Sequence, residues 1–265
     1  MIYTESCNYT MENRIKDNTL DLVVTSPPYF VGKEYEEQYK TGESYDKYVQ
    51  SLLDIFELCF FKLKPGGHLW INIDDAHTSL KSVYKVNKVL PTHALLIHGL
   101  HKLLDFKELI LWKKIRGKHA SGGSARLLGS YGRFGSPGSI PIVQETEYIL
   151  WFKKPGKRKD VTDDRRKESA LTPGEFKEYG MQIWEIRPER AKLIGHPAPF
   201  PVEVPRRIIK LATFKNDLVY DPFTGSGTTA LACLETDRHF IGSEIHAEYV
   251  DLANKRIENW SPDEV

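Results

Sequence analysis

The chain has 265 residues, with 37 basic and 36 acidic side chains, and 40% of its residues are hydrophobic. This length fits one large domain with a substantial core, and the apolar content excludes an intrinsically disordered chain. No apolar run is long enough to cross a bilayer and the first residues do not resemble a signal peptide, so we expect a cytoplasmic protein without a membrane partner. The net charge of +1 favours no class of partner.

Three cysteines, Cys7, Cys59 and Cys233, are odd in number and far apart in the chain. Neither a disulfide framework nor a zinc site is indicated by this spacing. His98 and His101 are three residues apart on a predicted helix, but no companion ligands accompany them. We therefore predict no metal site.

The first stretch that predicts chemistry is Ser26-Pro27-Pro28-Tyr29. It follows Leu20–Val24, a mostly apolar segment that predicts a buried strand, and ligands of open α/β sheets bind at the carboxyl ends of strands. The two prolines fix φ near about −65° and remove two N–H donors, so the turn is stiff and rich in acceptors. The Ser26 hydroxyl and the Pro27 carbonyl can accept the hydrogens of a planar amino group, while Tyr29 offers an aromatic surface. The alternative is an ordinary turn that ends a strand.

Helices and strands then alternate along the chain. Apolar residues at helical spacing predict a core helix over 46–63, which Pro65-Gly66-Gly67 would end before a strand over 68–73. A helix over 92–104 and a strand over 109–112 repeat this plan. Such alternation predicts an α/β fold with a doubly wound, mostly parallel sheet.

Three segments are irregular. Segment 33–42 is polar and rich in tyrosine, which predicts either a loop over the site or a plain solvated loop. Segment 113–141 holds six basic residues and no acidic ones, and 153–167 holds eight basic residues against three acidic ones. Both basic segments fit a polyanion footprint, because Lys and Arg contact phosphates, although solvated charged loops are the alternative. We favour nucleic acid, with 114–141 as a basic, glycine-rich loop.

A second motif lies near the carboxyl terminus. The sequence predicts a strand over Leu218–Tyr220, a glycine-rich turn over Asp221–Thr229 and the start of a helix over Ala230–Leu234. Glycines let a ligand approach the backbone, and Thr228 or Thr229 can cap the helix.

Glu244 completes this second motif. It follows the predicted strand 240–242, about 20 residues after Gly225, where an acidic residue typically binds ribose hydroxyls. The third glycine of a dinucleotide motif and the lysine of a phosphate-binding loop are both absent from the sequence. An adenosine ligand without phosphates therefore fits better than a diphosphate, and S-adenosylmethionine is the candidate.

Together these motifs resemble those of the amino-directed DNA methyltransferases. That family has a catalytic Asp/Asn/Ser-Pro-Pro-Tyr/Phe motif, matched by residues 25–29, and a cofactor motif around Phe-x-Gly-x-Gly, matched by 221–229. Segment 196–201, with a predicted helix over 202–213, resembles its other cofactor-side motif. Catalytic motif first and cofactor motif last is the order of the beta class. The resemblance covers nearly the whole chain and implies one Rossmann-like, S-adenosylmethionine-dependent methyltransferase domain over 1–265.

The resemblance also implies roles for individual residues. The catalytic residues would be Ser26, Pro27, Pro28 and Tyr29. The cofactor pocket would be formed by Asp221, Phe223, Gly225, Ser226, Gly227 and Thr228, with Glu244 at the ribose and His196, Pro197 and Phe200 on the methionine side. The predicted strand 145–152 would precede a short target-recognition region over 155–194.

The expected reaction is direct methyl transfer from S-adenosylmethionine to an exocyclic amine of a flipped-out base in double-stranded DNA. Ser26 and Pro27 would orient the amine, and the base would stack on Tyr29, without a metal or a covalent intermediate. Methylation at cytosine C5 would need a Pro-Cys dipeptide, which the chain lacks. Family usage associates Ser at position 26 with cytosine N4 and Asp with adenine N6.

Other functions and partners stay open at this point. An N6-adenine DNA methyltransferase is the first alternative, and a non-catalytic DNA-binding module is the second. Amino-methyltransferases of RNA or of protein glutamine usually carry their Asn-Pro-Pro-Tyr after the cofactor motif, the reverse of the order here. A homodimer and a cognate restriction endonuclease are further partners that the sequence allows.

Overall fold

The computed structural model describes residues 1–30, 45–77, 89–115, 144–158, 160–189 and 200–261. Its strands, in chain order, are β1 (Ile2–Thr4), β2 (Leu20–Thr25), β3 (Leu63–Ile73), β4 (Ala76–His77), β5 (Val89–Leu90), β6 (Asp105–Lys114), β7 (Thr146–Lys153), β8 (Ile183–Ile186), β9 (Leu218–Asp221) and β10 (His239–Glu244). Its helices are α1 (Cys7–Asn13), α2 (Tyr45–Lys62), α3 (Thr92–Leu100), α4 (Asp163–Glu168), α5 (Pro173–Tyr179), α6 (Glu203–Ala212), α7 (Thr228–Glu235) and α8 (Ala247–Glu258).

One mixed sheet contains all of these strands except β4 and β5, which pair with each other. The spatial order is β1-β10-β9-β2-β3-β7-β6-β8, and every neighbouring pair is parallel except the two that involve β7. The carboxyl ends of the parallel strands and the amino end of β7 therefore meet at one edge, which we call the carboxyl edge. The predicted α/β fold with a mostly parallel sheet is confirmed.

Hydrophobic cores cover both faces of this sheet, because side chains alternate along each strand. On one face, Val23 packs in a core with Met11 of α1 and Phe56 of α2. On the other face, Leu22 and Val24 belong to a core that includes residues of α6 and α7. This arrangement is the doubly wound one that the sequence predicts. None of the helices in the described ranges is both long enough and apolar enough to span a membrane.

The predicted position of Pro65-Gly66-Gly67 is wrong. The helix α2 ends at Lys62, and these three residues lie inside β3 rather than before it. They form an irregularity in the pairing with β2, where Leu20 is opposite Leu63 but Leu22 is opposite His68. Gly66 has φ +81°, and a Cβ there would lie 2.9 Å from the Arg158 nitrogen. The close approach of the Arg158 backbone explains why residue 66 is a glycine, and the end of the helix does not.

Other predicted boundaries shift by a few residues. The helix predicted over 92–104 ends at Leu100, and the strand predicted over 109–112 extends over Asp105–Lys114. The predicted loop over 33–42 lies outside the described residues, and so does the basic loop 114–141 beyond Ile115.

Part of the basic segment 153–167 lies at the opposite, amino edge of the sheet. Arg158 pairs with Asp21 at 2.9 Å and with Asp217 at 3.1 Å, and Arg165 reaches Asp217 at 2.7 Å. The Lys154 ammonium donates to the carbonyls of residues 60 and 63, at 2.8 Å each. These three basic residues hold this segment against the sheet, so the prediction that it contacts a polyanion depends on its other basic side chains.

Candidate active site

The Ser-Pro-Pro-Tyr turn leaves β2 at the carboxyl edge. Tyr48 of α2 donates to the Pro28 carbonyl at 2.9 Å, and this hydrogen bond holds the turn against α2. The Ser26 hydroxyl donates to Tyr29 Oη at 3.2 Å. Among the residues that the structure describes, none donates to the Pro27 carbonyl. The turn is therefore held by its own side chains and by α2, while Ser26 and Pro27 keep oxygen lone pairs for a ligand.

A polar network continues from this turn across the sheet. Tyr29 Oη donates to Glu147 Oε2 on β7 at 2.7 Å. Asn72 Nδ2 on β3 lies 2.8 Å from Tyr29 Oη, 2.8 Å from Glu147 Oε2 and 3.4 Å from Ser26 Oγ. Lys114 Nζ at the end of β6 is 2.5 Å from Glu147 Oε1. Four adjacent strands thus each bring a polar side chain, or the turn that follows the strand, to one point of the carboxyl edge.

Burial and charge alter proton affinities in this network. The pKa of Tyr29 is raised well above its ordinary value by burial and by the charge of Glu147. Tyr29 therefore remains a protonated phenol that can donate a hydrogen bond. Asp74, just after β3, has its pKa raised to about 6 by burial and by the charge of Glu147.

Asp221 joins the two sequence motifs. Its fully buried carboxylate accepts hydrogen bonds from Thr25 Oγ1 at 2.6 Å, from Thr229 Oγ1 at 2.5 Å and from the Phe223 nitrogen at 3.0 Å. Burial raises the pKa of Asp221 to about 6, against the effect of these donors. The carboxylate braces the ends of β2 and β9 and the start of α7, so the catalytic and cofactor motifs meet side by side.

The glycine-rich turn is shaped by its contact with α8. Gly227 has φ +81°, and a Cβ there would lie 2.8 Å from the Ala253 Cβ. Gly227 is also the N-cap of α7 and gives it no side-chain cap. The predicted cap by Thr228 or Thr229 is wrong, because both residues lie inside α7 after its N-cap, where the Thr229 hydroxyl donates to Asp221 and the Thr228 hydroxyl accepts from Arg256.

Arg256 of α8 holds this turn from the other side. Its Nη1 donates to the Ser226 carbonyl at 2.6 Å, to Ser226 Oγ at 3.0 Å and to Thr228 Oγ1 at 3.4 Å. Ser226 and Thr228 are buried. Their hydroxyls are thus in contact with Arg256, and their predicted contact with a cofactor stays a prediction.

Glu244 lies at the end of β10, next to the glycine-rich turn. Its Oε2 accepts from the Gly225 nitrogen and its Oε1 from the His246 nitrogen, both at 3.0 Å. A carboxylate oxygen has a second lone pair, so each of these oxygens can also accept a hydrogen bond from a ribose hydroxyl. The observed position fits the predicted role.

The remaining predicted residues are less fully placed. Phe223 is half-buried and packs on the core that contains Val23, and Phe200 packs on the core that contains Leu22. His196 and Pro197 lie outside the described residues.

Four residues of the site were missed from the sequence. Asn72, Glu147, Lys114 and Arg256 belong to no recognised motif. The available signal is weak: Asn72 is a polar residue inside the apolar run of the predicted strand 68–73, and Glu147 is the third residue of the predicted strand 145–152. Lys114 belongs to the basic segment 113–141, and Arg256 stands in a polar stretch near the carboxyl terminus that no motif includes.

Comparison with known proteins identifies the family. The model of the DNA methylase family, N6_N4_Mtase, matches residues 20–255. Type II methyltransferase M.MjaI of Methanocaldococcus jannaschii is 32% identical over 277 residues, which cover 92% of this chain and 87% of that relative. Type II methyltransferase M.BglI of Bacillus subtilis is 30% identical over 298 residues, with 93% and 82% covered.

A solved structure agrees with this result. TTHA0409 of Thermus thermophilus, in complex with S-adenosyl-L-methionine, has a TM-score of 0.76 and 29% identity to this chain, and the match covers 96% of this chain and 91% of that one. The family model spans most of the chain, and it includes the Ser-Pro-Pro-Tyr turn, the glycine-rich turn and Glu244. The chain belongs to the DNA methylase family whose members methylate amino groups of bases.

Proposed function

We propose that this DNA methyltransferase transfers the methyl group of S-adenosylmethionine to the exocyclic N4 of cytosine in double-stranded DNA. Methyl transfer to an amino group of DNA is the activity of the family, and the choice of cytosine N4 is our inference. The observation that carries it is Ser26 at the carboxyl end of β2, a neutral acceptor where adenine-specific members usually have Asp. Ser26 and Pro27 keep acceptor capacity there, as the transfer requires.

The cofactor is S-adenosylmethionine, which supplies a methyl group activated by a sulfonium. Glu244 would accept hydrogen bonds from its ribose, since both carboxylate oxygens have spare lone pairs. Phe223 and the glycine-rich turn would line its adenosine, and Phe200, with His196 and Pro197, would close the methionine side. Ser226 and Thr228 would act mainly by shaping the turn, because both contact Arg256.

The chain's own residues would orient the base. The target cytosine would be flipped out of the duplex, at a cost of a few kcal/mol, and stacked on the ring of Tyr29. The Ser26 hydroxyl and the Pro27 carbonyl would accept the two amino hydrogens and direct the N4 lone pair at the methyl carbon. The new N–C bond would form as the bond from that carbon to sulfur breaks, and N4 would then release one proton to solvent.

We further infer that residues 1–265 form one methyltransferase domain of the beta class. The catalytic turn precedes the glycine-rich turn in the chain, which supports the class. We assign target recognition to 155–194 and DNA contact to the loop 114–141. A cognate restriction endonuclease is a proposed partner, because the relatives named above are Type II methyltransferases. A homodimer stays a prediction from the sequence.

Base identity is the test of this proposal. The purified protein is incubated with S-adenosylmethionine and unmethylated duplex DNA of mixed sequence, and the DNA is digested to nucleosides for mass spectrometry. We expect N4-methylcytosine. N6-methyladenine would contradict the base assignment and keep the mechanism, while no modified nucleoside would favour a non-catalytic DNA-binding module.

A further inference from the structure

The hydrogen bonds around Tyr29 can be satisfied in only one direction. Glu147 Oε2 accepts hydrogen bonds from Tyr29 Oη and from Asn72 Nδ2. Glu147 Oε1 forms an ion pair with the Lys114 ammonium. A carboxylate surrounded in this way accepts and never donates. Tyr29 must therefore give its one hydrogen to Glu147, so its oxygen can only accept from its other neighbours.

This constraint passes to Ser26. The two hydrogens of Asn72 Nδ2 are used by its 2.8 Å contacts with Tyr29 and Glu147, and its distance to Ser26 Oγ is longer, at 3.4 Å. The Ser26 hydrogen points at Tyr29 Oη, 3.2 Å away, because Tyr29 has no second hydrogen to offer in return. The free side of Ser26 Oγ then carries lone pairs and no hydrogen.

We propose that Glu147 is a positioning residue that keeps the Ser26 hydroxyl an obligatory hydrogen-bond acceptor for the target amine, acting through Tyr29. The inference rests on the proposed function, because it needs Ser26 to accept an amino hydrogen. A serine hydroxyl can otherwise rotate and donate to the N4 lone pair, which would remove the electrons that attack the methyl carbon. The Glu147 carboxylate on β7 thus fixes the direction of the Ser26 O–H bond in the turn after β2 without touching the substrate.

Replacement of Glu147 by Gln tests this idea. The Gln amide has nearly the same shape, but it can donate to Tyr29 and allow the chain of hydrogen bonds to reverse. We expect E147Q to lower the single-turnover rate of methyl transfer by about 10- to 100-fold, with little change in the affinity for S-adenosylmethionine. Tyr29→Phe keeps the ring and removes the link, so it should lower the rate to a similar extent. This second variant covers the case in which E147Q fails to fold.

A double-mutant cycle separates positioning from a general structural role. In a Ser26→Ala background E147Q should change the rate by less than about twofold, because the hydroxyl that it positions is gone. The matched control is E235Q, since Glu235 has similar exposure and pairs with Arg206 at 2.7 Å, away from the site. E235Q should leave the rate unchanged.

Each contrary result has a distinct meaning. Equal losses from E147Q with and without the Ser26 hydroxyl would overturn the positioning role and leave only a structural one. A full rate in E147Q and Y29F, with a large loss in S26A, would also overturn it while the proposed function survives. A full rate in S26A would remove Ser26 from the mechanism, and the proposed function would fail together with this inference.

Discussion

At the scale of single residues, Asp221 shows how a charged group can serve the site from beneath it. Burial favours its neutral form, and three hydrogen-bond donors favour the carboxylate; burial has the larger effect, since the pKa is raised to about 6. A raised pKa means that the folded state binds the proton more readily than the unfolded state. The contribution of Asp221 to stability is therefore largest below its ordinary pKa and decreases as the pH rises through about 6.

Replacement of Thr25 by Val should lower the stability by an amount that depends on the charge of Asp221. The variant keeps the shape of the side chain but removes the 2.6 Å hydrogen bond to the buried carboxylate. We expect the free energy of unfolding at pH 7.5 to fall by about 1–3 kcal/mol, with a smaller loss at pH 5, where Asp221 is largely protonated. Urea denaturation at the two pH values measures this difference.

A control for the pH dependence is available in the same chain. Thr236 is buried and donates to the Ala232 carbonyl at 2.6 Å, a neutral acceptor. Thr236→Val should therefore lower the stability equally at pH 5 and pH 7.5. If Thr25→Val also gave equal losses, Asp221 would not change its charge in this range.

At the scale of helices and strands, periodicity and turn residues predicted most of the elements around the site. The strands β2, β9 and β10 and the helix α2 follow from their apolar patterns, and the two motifs located Ser26 and Glu244. The irregularity in β3 was not predictable, because it depends on the backbone near Arg158, which is far away in the sequence. The roles of Asn72, Glu147 and Arg256 could not be predicted either, since each depends on a partner from a distant element.

Arg256 of α8 should contribute to cofactor affinity, because it holds the glycine-rich turn in place. Arg256→Met would remove the donors that hold the Ser226 carbonyl and hydroxyl, and the glycine-rich turn would lose its fixed shape. We expect the Kd for S-adenosylmethionine to rise about tenfold, which corresponds to about 1.4 kcal/mol. Calorimetric titration measures the change. The control is Lys255→Met, which removes a neighbouring exposed charge on the same helix, and an equal effect in both variants would exclude a specific role for Arg256.

At the scale of the whole molecule, the two edges of the sheet carry different polar groups. The carboxyl edge holds the Ser26 turn, Glu147 and Asp221. The amino edge holds buried carboxylates that arginines neutralise, with Asp21 as the second residue of β2 and about 13 Å from Thr25 along the strand. In the sequence, the charged residues of both edges stand beside apolar runs and look alike. Only the fold shows that one group lies at the candidate active site and that the other forms a cluster of stabilising ion pairs.

Arg158 tests this division. Its side chain pairs with Asp21 and Asp217, whose side chains are only 3% and 1% exposed. Arg158→Met would leave each buried carboxylate with one cation, Lys64 at 2.7 Å from Asp21 and Arg165 at 2.7 Å from Asp217. We expect the free energy of unfolding to fall by about 1.5–3 kcal/mol, because hydrogen bonds to charged groups are lost. Lys157→Met removes an exposed neighbouring charge and should leave the stability unchanged.

The same Lys157 variant tests whether the segment contacts DNA through its exposed lysines. If it does, the variant should reduce the salt dependence of DNA binding, since each lost phosphate contact lowers the slope of log K against log salt concentration by about one. A stable Arg158→Met protein with weakened DNA binding would reverse the assignment and place Arg158 among the DNA contacts.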